Sequence, residues 1–306
     1  MQIGFLGLGH MGHNLVLNLQ DKGHQVVAWN RSVEKRETAR QAGINVVDEM
    51  SQVVAQLTGP RVIWLMVAAG PAVEEVLFGA DGLATQLAAG DVVIDGANSH
   101  YTDSKRRAAK LAESGIILLD CGVSGGVTAA RNGACMMVGG DKATFDRLEP
   151  MFKDMSQPDG YGYFGTSGAG HYVKMVHNGI EYGMMQSLAE GVNLLDKSEY
   201  APDMTKLTDV WNHGSIIQSN LVGYLNTALT TDGKLANAES EIGDLGTGGW
   251  TTSEALRLGV PLPAISAAVF TRFASRDPQS MLYKVVSAMR AVFGGHTGAE
   301  RPATKA

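Results

Sequence analysis

The chain has 306 residues, of which 44% are hydrophobic and 18% are charged, so it can bury a substantial core and divide into two domains. Its formal net charge of -6 excludes a general attraction to nucleic acid or to an anionic membrane, and an anionic ligand therefore needs a few locally placed cations. Cys121 and Cys135 are too few for a disulfide scaffold or a thiolate metal site, so we expect no metal and a reducing, cytoplasmic location.

The first half of the chain alternates short apolar runs with amphipathic stretches, which predicts a parallel sheet covered by helices on both faces. The opening residues MQIGFLGLG lack the features of a signal peptide and fit a strand and turn instead. Five runs predict strands: IGFLG, QVVAW, RVIWLMV, DVVID and GIILLD. Helices are predicted over residues 11–22, 33–42, 72–78 and 101–114, the last capped by Ser99. The predicted fold class is α/β, with an N-terminal doubly wound domain of Rossmann type.

Beyond the segment GYFGTSGAG, the pattern changes to helices alone. Helical periodicity covers residues 172–195 and then residues 203–213, 221–229, 252–258, 263–275 and 281–293. A dinucleotide-binding domain is therefore expected over residues 1–165 and an all-α domain over residues 166–306. The tail GAERPATKA is small and polar, which suggests fraying.

A glycine-rich turn follows the first predicted strand directly and opens a helix. Gly7 permits the tight turn, Gly9 lets a pyrophosphate approach the backbone, and Gly12 lets helix and strand pack closely. The helix N-terminus offers free N–H groups to the phosphates. A strand, turn and helix without a ligand is the alternative. The predicted cofactor site also includes, besides these glycines, Leu8, His10, Met11, Val67 and Asn98.

The end of the second strand carries Asn30, Arg31 and Ser32, where an NAD enzyme usually places a carboxylate for the ribose hydroxyls. Arg31 can form charge-assisted hydrogen bonds with a 2′-phosphate, which favours NADP over NAD. In the alternative interpretation Arg31 is a solvated residue and Asn30 caps the next helix, which leaves the choice of cofactor open.

Polar residues punctuate the otherwise apolar helix over residues 172–195. At about 100° per residue, Lys174, His177, Asn178, Glu181 and Tyr182 fall on one face. Because the flanking residues are mostly apolar, we expect this face to line a cleft, although a solvated face is the commoner fate of such a Lys and Glu. A desolvated Lys174 can lose its proton near neutral pH and act as a base, and Glu181 is the available acid.

Several motifs together resemble one enzyme family. They are HYVKMVHNGIEYG, DGANS with Asn98, CGVSGG with Ser124, Gly125 and Gly126, GTGGW with Thr247, AVFTR with Arg272, and RAVFGGHT with Arg290 and His296. Over nearly its whole length the chain is similar to the 6-phosphogluconate dehydrogenases, in the short form that lacks a second helical half. His177, Glu181 and the two distal arginines separate it from β-hydroxyacid dehydrogenases at large.

The resemblance implies oxidation and decarboxylation of 6-phosphogluconate to ribulose 5-phosphate with reduction of NADP or NAD. Lys174 then takes the proton of the C3 hydroxyl and later polarises the new carbonyl, and Glu181 protonates C1 of the enediol. The implied ligands of the substrate carboxylate and hydroxyls are Asn98, Ser124, Gly126, His177 and Asn178, with Gly125 beside them. The implied phosphate ligands are Tyr182, Thr247, Arg272 and Arg290.

The resemblance also implies a homodimer or homotetramer in which Arg290 and His296 reach a neighbouring subunit's site. One residue departs from the family pattern, and one property of the short forms disagrees with the NADP prediction. Leu245 stands where long forms carry a phosphate-contacting lysine, and short forms often prefer NAD.

Two other functions compete with this one. A β-hydroxyacid dehydrogenase acting without decarboxylation on a small hydroxy acid needs Lys174 and Asn178 but leaves Glu181 idle. The other is a catalytically silent NADPH-binding sensor or scaffold, in which the polar face of this helix would have no function.

Overall fold

The computed structural model describes residues 1–244 and 246–294, with side chains to residue 292. By its internal contacts the chain divides into two compact units, Met1–His177 and Asn178–Ala306. Helix α9 (Ala169–Asp196) crosses this division. The domain boundary expected near residue 165 stays a prediction.

The N-terminal unit contains one eight-stranded sheet. Its strands, in chain order, are β1 (Gln2–Leu6), β2 (Gln25–Trp29), β3 (Asn45–Val46), β4 (Val62–Leu65), β5 (Val92–Asp95), β6 (Ile117–Ser124), β7 (Ala134–Gly139) and β8 (Ser156–Tyr163). They lie in the order β3-β2-β1-β4-β5-β6-β7-β8. All neighbours are parallel except β6 and β7, which run antiparallel and place Ser124 opposite Cys135. Strands β2 and β3 lie on one side of β1, and β4 and the later strands lie on its other side. The strand order therefore reverses between β1 and β4, which is where a doubly wound sheet places a ligand crevice.

Side-chain alternation along the strands explains why helices cover both faces of the sheet. Ile3 and Phe5 of β1 belong to one buried cluster, and Leu6 belongs to the other. Likewise, Val62 and Trp64 of β4 face the first cluster, while its other two residues face the second. Strands with two buried faces read as nearly continuous apolar runs, which confirms the doubly wound fold predicted from the sequence.

Eight helices accompany these strands: α1 (His10–Asp21), α2 (Val33–Gln41), α3 (Met50–Gln56), α4 (Pro71–Phe78), α5 (Leu83–Gln86), α6 (Tyr101–Ala112), α7 (Gly126–Asn132) and α8 (Lys142–Met155). One sequence prediction here is wrong. Ser99 does not cap α6, because its hydroxyl donates to Asp95 and the N-cap is His100, whose side chain accepts from Thr102 N.

The described residues of the C-terminal unit form helices joined by turns and loops, without a strand. After α9 come α10 (Met204–Trp211), α11 (Asn220–Thr231), α12 (Thr247–Leu258), α13 (Pro263–Arg276) and α14 (Met281–Gly294). The predicted all-α second part is therefore confirmed, and α12 begins five residues earlier than the apolar pattern indicated. In the described ranges no helix is long and apolar enough to cross a membrane.

Candidate active site

The glycine-rich turn after β1 has the geometry that a dinucleotide requires. Gly7 has φ +108, and a Cβ there would lie 2.3 Å from the carbonyl oxygen of Met66. A Cβ on Gly12 would lie 1.9 Å from the carbonyl oxygen of Gly7, so only glycine allows α1 to start so close to the turn. By contrast, a Cβ on Gly9 would meet nothing within 4 Å. Open space over Gly9, at the N-cap of α1, fits a pyrophosphate on the helix N-terminus.

Asn30 holds this turn in place from the end of β2. Its Oδ1 accepts a hydrogen bond from Leu8 N at 2.9 Å, while Ser32 is the N-cap of α2. The alternative in which Asn30 caps α2 is therefore wrong. Arg31 is exposed beside it. Arg36, one turn into α2, donates from Nη1 to the carbonyl oxygens of Asn30 and Arg31 at 2.9 and 3.2 Å, and so fixes the backbone that presents Arg31.

Other predicted residues follow the neighbouring strands. Val67 comes two residues after β4, Asn98 three residues after β5, and Ser124 is the last residue of β6. Because β1, β2, β4, β5 and β6 are parallel neighbours, their carboxyl ends lie at one edge of the sheet. The fold thus gathers the glycine turn and these three positions at the same edge.

A buried ionic network supports the loop that carries Asn98. Arg107 of α6 and Asp95 at the end of β5 are both fully buried, with Nη1 3.2 Å from Oδ2. The same Nη1 donates to Ser99 Oγ at 2.9 Å, and Asp95 Oδ1 accepts from Ala97 N at 3.1 Å. Arg107 Nε reaches Glu74 of α4 at 2.7 Å. The loop between β5 and α6 is therefore tied down on both sides of Asn98.

The first turn of α9 approaches the sheet unusually closely. A Cβ on Gly122 would lie 2.3 Å from Lys174 Cβ, and a Cβ on Gly170 would lie 2.4 Å from the carbonyl oxygen of Met137. Asp120 accepts hydrogen bonds from Gly168 N and His171 N at 2.6 and 2.9 Å and so caps the helix start. Glycine on both surfaces places Lys174 directly against β6.

Lys174 belongs to a polar chain that leads back to the sheet edge. The residue is 8% exposed, and its Nζ lies 3.4 Å from His177 Nδ1. His177 Nε2 lies 3.1 Å from Ser124 Oγ. An amine buried beside an imidazole and a hydroxyl is poorly hydrated, which is the setting in which a lysine exchanges protons with a substrate.

The polar face continues along α9. Glu181 is two turns beyond Lys174 on a helix without a break, and Asn178 lies between them. Both are partly buried. Some apolar side chains of α9 are exposed to solvent. The exposed fractions of Ile180, Met184 and Met185 are 51%, 45% and 42%.

A second polar group lies within the C-terminal unit. Asn178 Nδ2 donates to Thr247 Oγ1 at 3.4 Å, and Tyr182 OH donates to Asp244 at 2.7 Å. The guanidinium of Arg272, only 4% exposed, stacks 3.7 Å from the centre of the Tyr182 ring. Glycine at position 248 permits this packing, since a Cβ there would lie 2.5 Å from the ring. Three residues with predicted phosphate roles, Tyr182, Thr247 and Arg272, are thus brought together.

Comparison with known proteins decides the family. Residues 2–179 match the NAD binding domain of 6-phosphogluconate dehydrogenase, and residues 170–292 match the 6-phosphogluconate dehydrogenase C-terminal domain. The NAD(+)-dependent, decarboxylating 6-phosphogluconate dehydrogenase of Haloferax volcanii is 40% identical over 303 residues, which cover 98% of this chain and 99% of that protein.

The chain belongs to the 6-phosphogluconate dehydrogenase family.

Two solved structures are similar to this chain over all or most of its length. The 6-phosphogluconate dehydrogenase of Plasmodium falciparum, described with NADP+ and with 6-phosphogluconate, superposes with a TM-score of 0.82 at 32% identity, covering all of this chain but 67% of that one. A 3-hydroxyisobutyrate dehydrogenase of Mycobacterium tuberculosis gives 0.70 at 25% identity, with 95% and 99% coverage. The length matches the Haloferax 6-phosphogluconate dehydrogenase, and the resemblance inferred from the motifs is confirmed.

No contact described above involves the remaining predicted site residues. Gly125 and Gly126 adopt φ +113 and +69 at the start of α7, directly after Ser124. Arg290 is exposed on α14. His296 and Leu245 lie outside the described residues. The sequence did not single out five residues that shape the candidate site in this structure, namely Arg36, Arg107, Asp120, Gly122 and Asp244. For Asp120, its position at the end of a predicted strand was a usable signal.

Proposed function

We propose that this chain converts 6-phospho-D-gluconate to D-ribulose 5-phosphate and CO2 with reduction of NAD(P)+. The observation that carries the proposal is the buried Lys174, held against Gly122 and connected through His177 to Ser124. Family membership supplies the substrate, and this geometry supports the proton transfers that the reaction needs.

Lys174 acts first as base on the C3 hydroxyl. A bound nicotinamide cofactor would supply the acceptor for the hydride that leaves C3. Lys174, now protonated, donates a hydrogen bond to the C3 carbonyl and stabilises the charge that develops there as CO2 leaves. Glu181 then protonates C1 of the resulting enediolate, which gives the ketone of D-ribulose 5-phosphate. His177 lies between Lys174 and Ser124 and orients both donors toward the substrate hydroxyls and carboxylate.

Tyr182, Thr247 and Arg272 hold the phosphate. Arg272 supports this assignment because it is a buried cation whose Nε has no hydrogen-bond partner among the described residues. Its hydrogen bonds are weak, to the carbonyl oxygen of Ala268 at 3.3 Å and to Met185 Sδ at 4.0 Å. A buried guanidinium with so few acceptors is prepared for an anionic ligand.

Residues 7–12 of the glycine turn would hold the cofactor, and Asn30, Arg31 and Ser32 would bind its adenosine end. Exposed Arg31, with its backbone fixed by Arg36, supports a preference for NADP over NAD.

Arg31→Ala should lower kcat/KM for NADP by about ten-fold or more, because it removes a charge-assisted hydrogen bond, and it should leave kcat/KM for NAD almost unchanged. Lys35→Ala, an exposed neighbour, is the matched control. Equal losses with both cofactors would remove Arg31 from discrimination.

A direct assay tests the function. Purified protein with 6-phosphogluconate and NAD or NADP should form reduced cofactor and CO2 in equal amounts. Reduced cofactor without CO2 would point to a non-decarboxylating β-hydroxyacid dehydrogenase, and no reduction with either cofactor would point to a silent NADPH-binding sensor.

The active assembly is a homo-oligomer, dimer or tetramer. Large apolar side chains that are exposed on α13 and α14 support it: Phe270, Phe273, Met281, Leu282, Tyr283, Val285, Val286, Met289 and Val292. An apolar surface of this extent is typical of a surface that another subunit covers.

A further inference from the structure

Asp244 occupies the donors that the proposed phosphate site offers. Its Oδ1 accepts from Tyr182 OH at 2.7 Å and from Gly246 N at 2.8 Å. Its Oδ2 lies 3.8 Å from Arg276 Nη2, and its side chain is only 6% exposed. A carboxylate therefore sits where a substrate phosphate needs hydrogen-bond donors and cations.

The hydroxyl groups around Asp244 are all oriented in one direction. Asn178 donates to Thr247 at 3.4 Å, Thr247 donates to Tyr182 at 3.5 Å, and Tyr182 donates to the carboxylate. A tyrosine or threonine hydroxyl has only one proton to donate. While Asp244 receives the proton of Tyr182, the tyrosine oxygen presents only lone pairs to any other anion, and Thr247 is committed in the same way.

The electrostatic state of Asp244 strengthens this competition. Burial raises the pKa of its carboxyl, but hydrogen bonds from Tyr182 and Gly246 and the charges of Arg276 and Arg272 outweigh burial, and the net pKa is lowered. The group is thus an anion at neutral pH. Burial and the charge of Asp244 raise the pKa of Tyr182, so the tyrosine keeps its proton.

We propose that Asp244 is an internal anion that competes with the substrate phosphate for Tyr182 and the arginines, and so sets the affinity of this enzyme for phosphorylated substrates. Phosphate binding interrupts the hydroxyl chain, because Tyr182 turns its proton from Asp244, and Thr247 turns its proton from Tyr182, to the phosphate oxygens. The inference rests on the proposed function, since it takes Tyr182, Thr247 and Arg272 as phosphate ligands.

The test uses Asp244→Asn, which keeps an oxygen for Gly246 N but removes the charge. Inorganic phosphate, titrated calorimetrically into the full-length protein, should bind about five-fold tighter or more, because one buried negative charge no longer opposes it. KM for 6-phosphogluconate should fall by a similar factor. Asp209→Asn, which removes an equal charge from an exposed position on α10, should change neither quantity.

Asp244→Ser provides a second variant whose hydroxyl can still accept from Gly246 N, in case the amide disturbs the fold. Equal or weaker phosphate binding in both folded variants would overturn the role of Asp244. Because phosphate binding needs no turnover, a wild-type protein that fails to oxidise 6-phosphogluconate would count against the proposed function separately.

Discussion

In the proposed mechanism Lys174 accepts a proton before Glu181 donates one, and the two residues have different surroundings. Lys174 is buried against β6, while Glu181 is partly buried two turns further along α9. Such differences in solvation allow one helix to supply both a base and an acid. The proposed role of Glu181 can be tested separately, because proton removal by Lys174 and proton donation by Glu181 belong to different chemical steps.

Glu181→Gln should lower kcat by about 100-fold or more, since general acid catalysis typically contributes two to four orders of magnitude. Binding of the reduced cofactor, followed by fluorescence titration, should stay unchanged because Glu181 does not belong to the glycine turn. Glu190→Gln, an exposed change on the same helix, is the control. Wild-type turnover in Glu181→Gln would exclude Glu181 from the mechanism.

The site residues that take part in the chemistry could be predicted from the sequence. The residues that position them through packing could not. The glycine turn and the polar face of α9 are visible in sequence because their spacing relates residues close in the chain. Gly122 and Asp120 act on α9 across about fifty residues, and no local pattern carries such a contact. The same applies to Asp244, whose partner Tyr182 lies 62 positions away.

Among the elements, β8 shows most clearly why local patterns fail. It is an edge strand that contains Pro158, and its first residues are mostly exposed, so it has neither apolar alternation nor a continuous apolar run. Strand β3 has only two residues and gives no pattern at all. The five predicted strands, in contrast, are all interior, because burial on both faces leaves its mark on composition. Strand β7 is also interior and largely buried, but it was not predicted.

The contact between α4, α6 and β5 gives a prediction about acid stability. Hydrogen bonds from Arg106, and then from Arg107, lower the pKa of Glu74 to about 2 from an ordinary 4.5. Since the folded state holds the charged form, this stabilisation is present above about pH 4.5 and is lost as pH falls toward 2.

Glu74→Gln should therefore flatten the pH dependence of the unfolding free energy in that window. The carboxylate is partly exposed and screened by solvent, so we expect a difference of about 1 kcal/mol in urea melts at low and neutral pH. Glu75→Gln, an exposed change on the same helix, should leave the wild-type dependence intact. An identical acid profile in Glu74→Gln would show that the pair contributes nothing.

At the scale of the whole molecule, the proposed oligomer bears on catalysis because Arg290 lies on α14, one of the two helices with exposed apolar side chains. Light scattering after size exclusion should give a dimer or larger at micromolar concentration. If Arg290 serves a neighbour's site, co-expressed Lys174→Met and Arg290→Ala subunits should regain activity that neither variant has alone, because a mixed assembly contains an intact site. A fully active monomer would contradict the oligomer, and no regained activity would place Arg290 in its own subunit's site.

The antiparallel pairing of β6 and β7 has a practical consequence. Ser124 and Cys135 are directly opposite across the two strands, so their side chains project from the same face of the sheet. Cys135 is exposed, whereas burial, with the nearby charge of Asp120, raises the pKa of the Cys121 thiol and keeps it unreactive. A maleimide dye would therefore label one position, beside Ser124, giving a native fluorescent reporter of ligand arrival without any engineered cysteine.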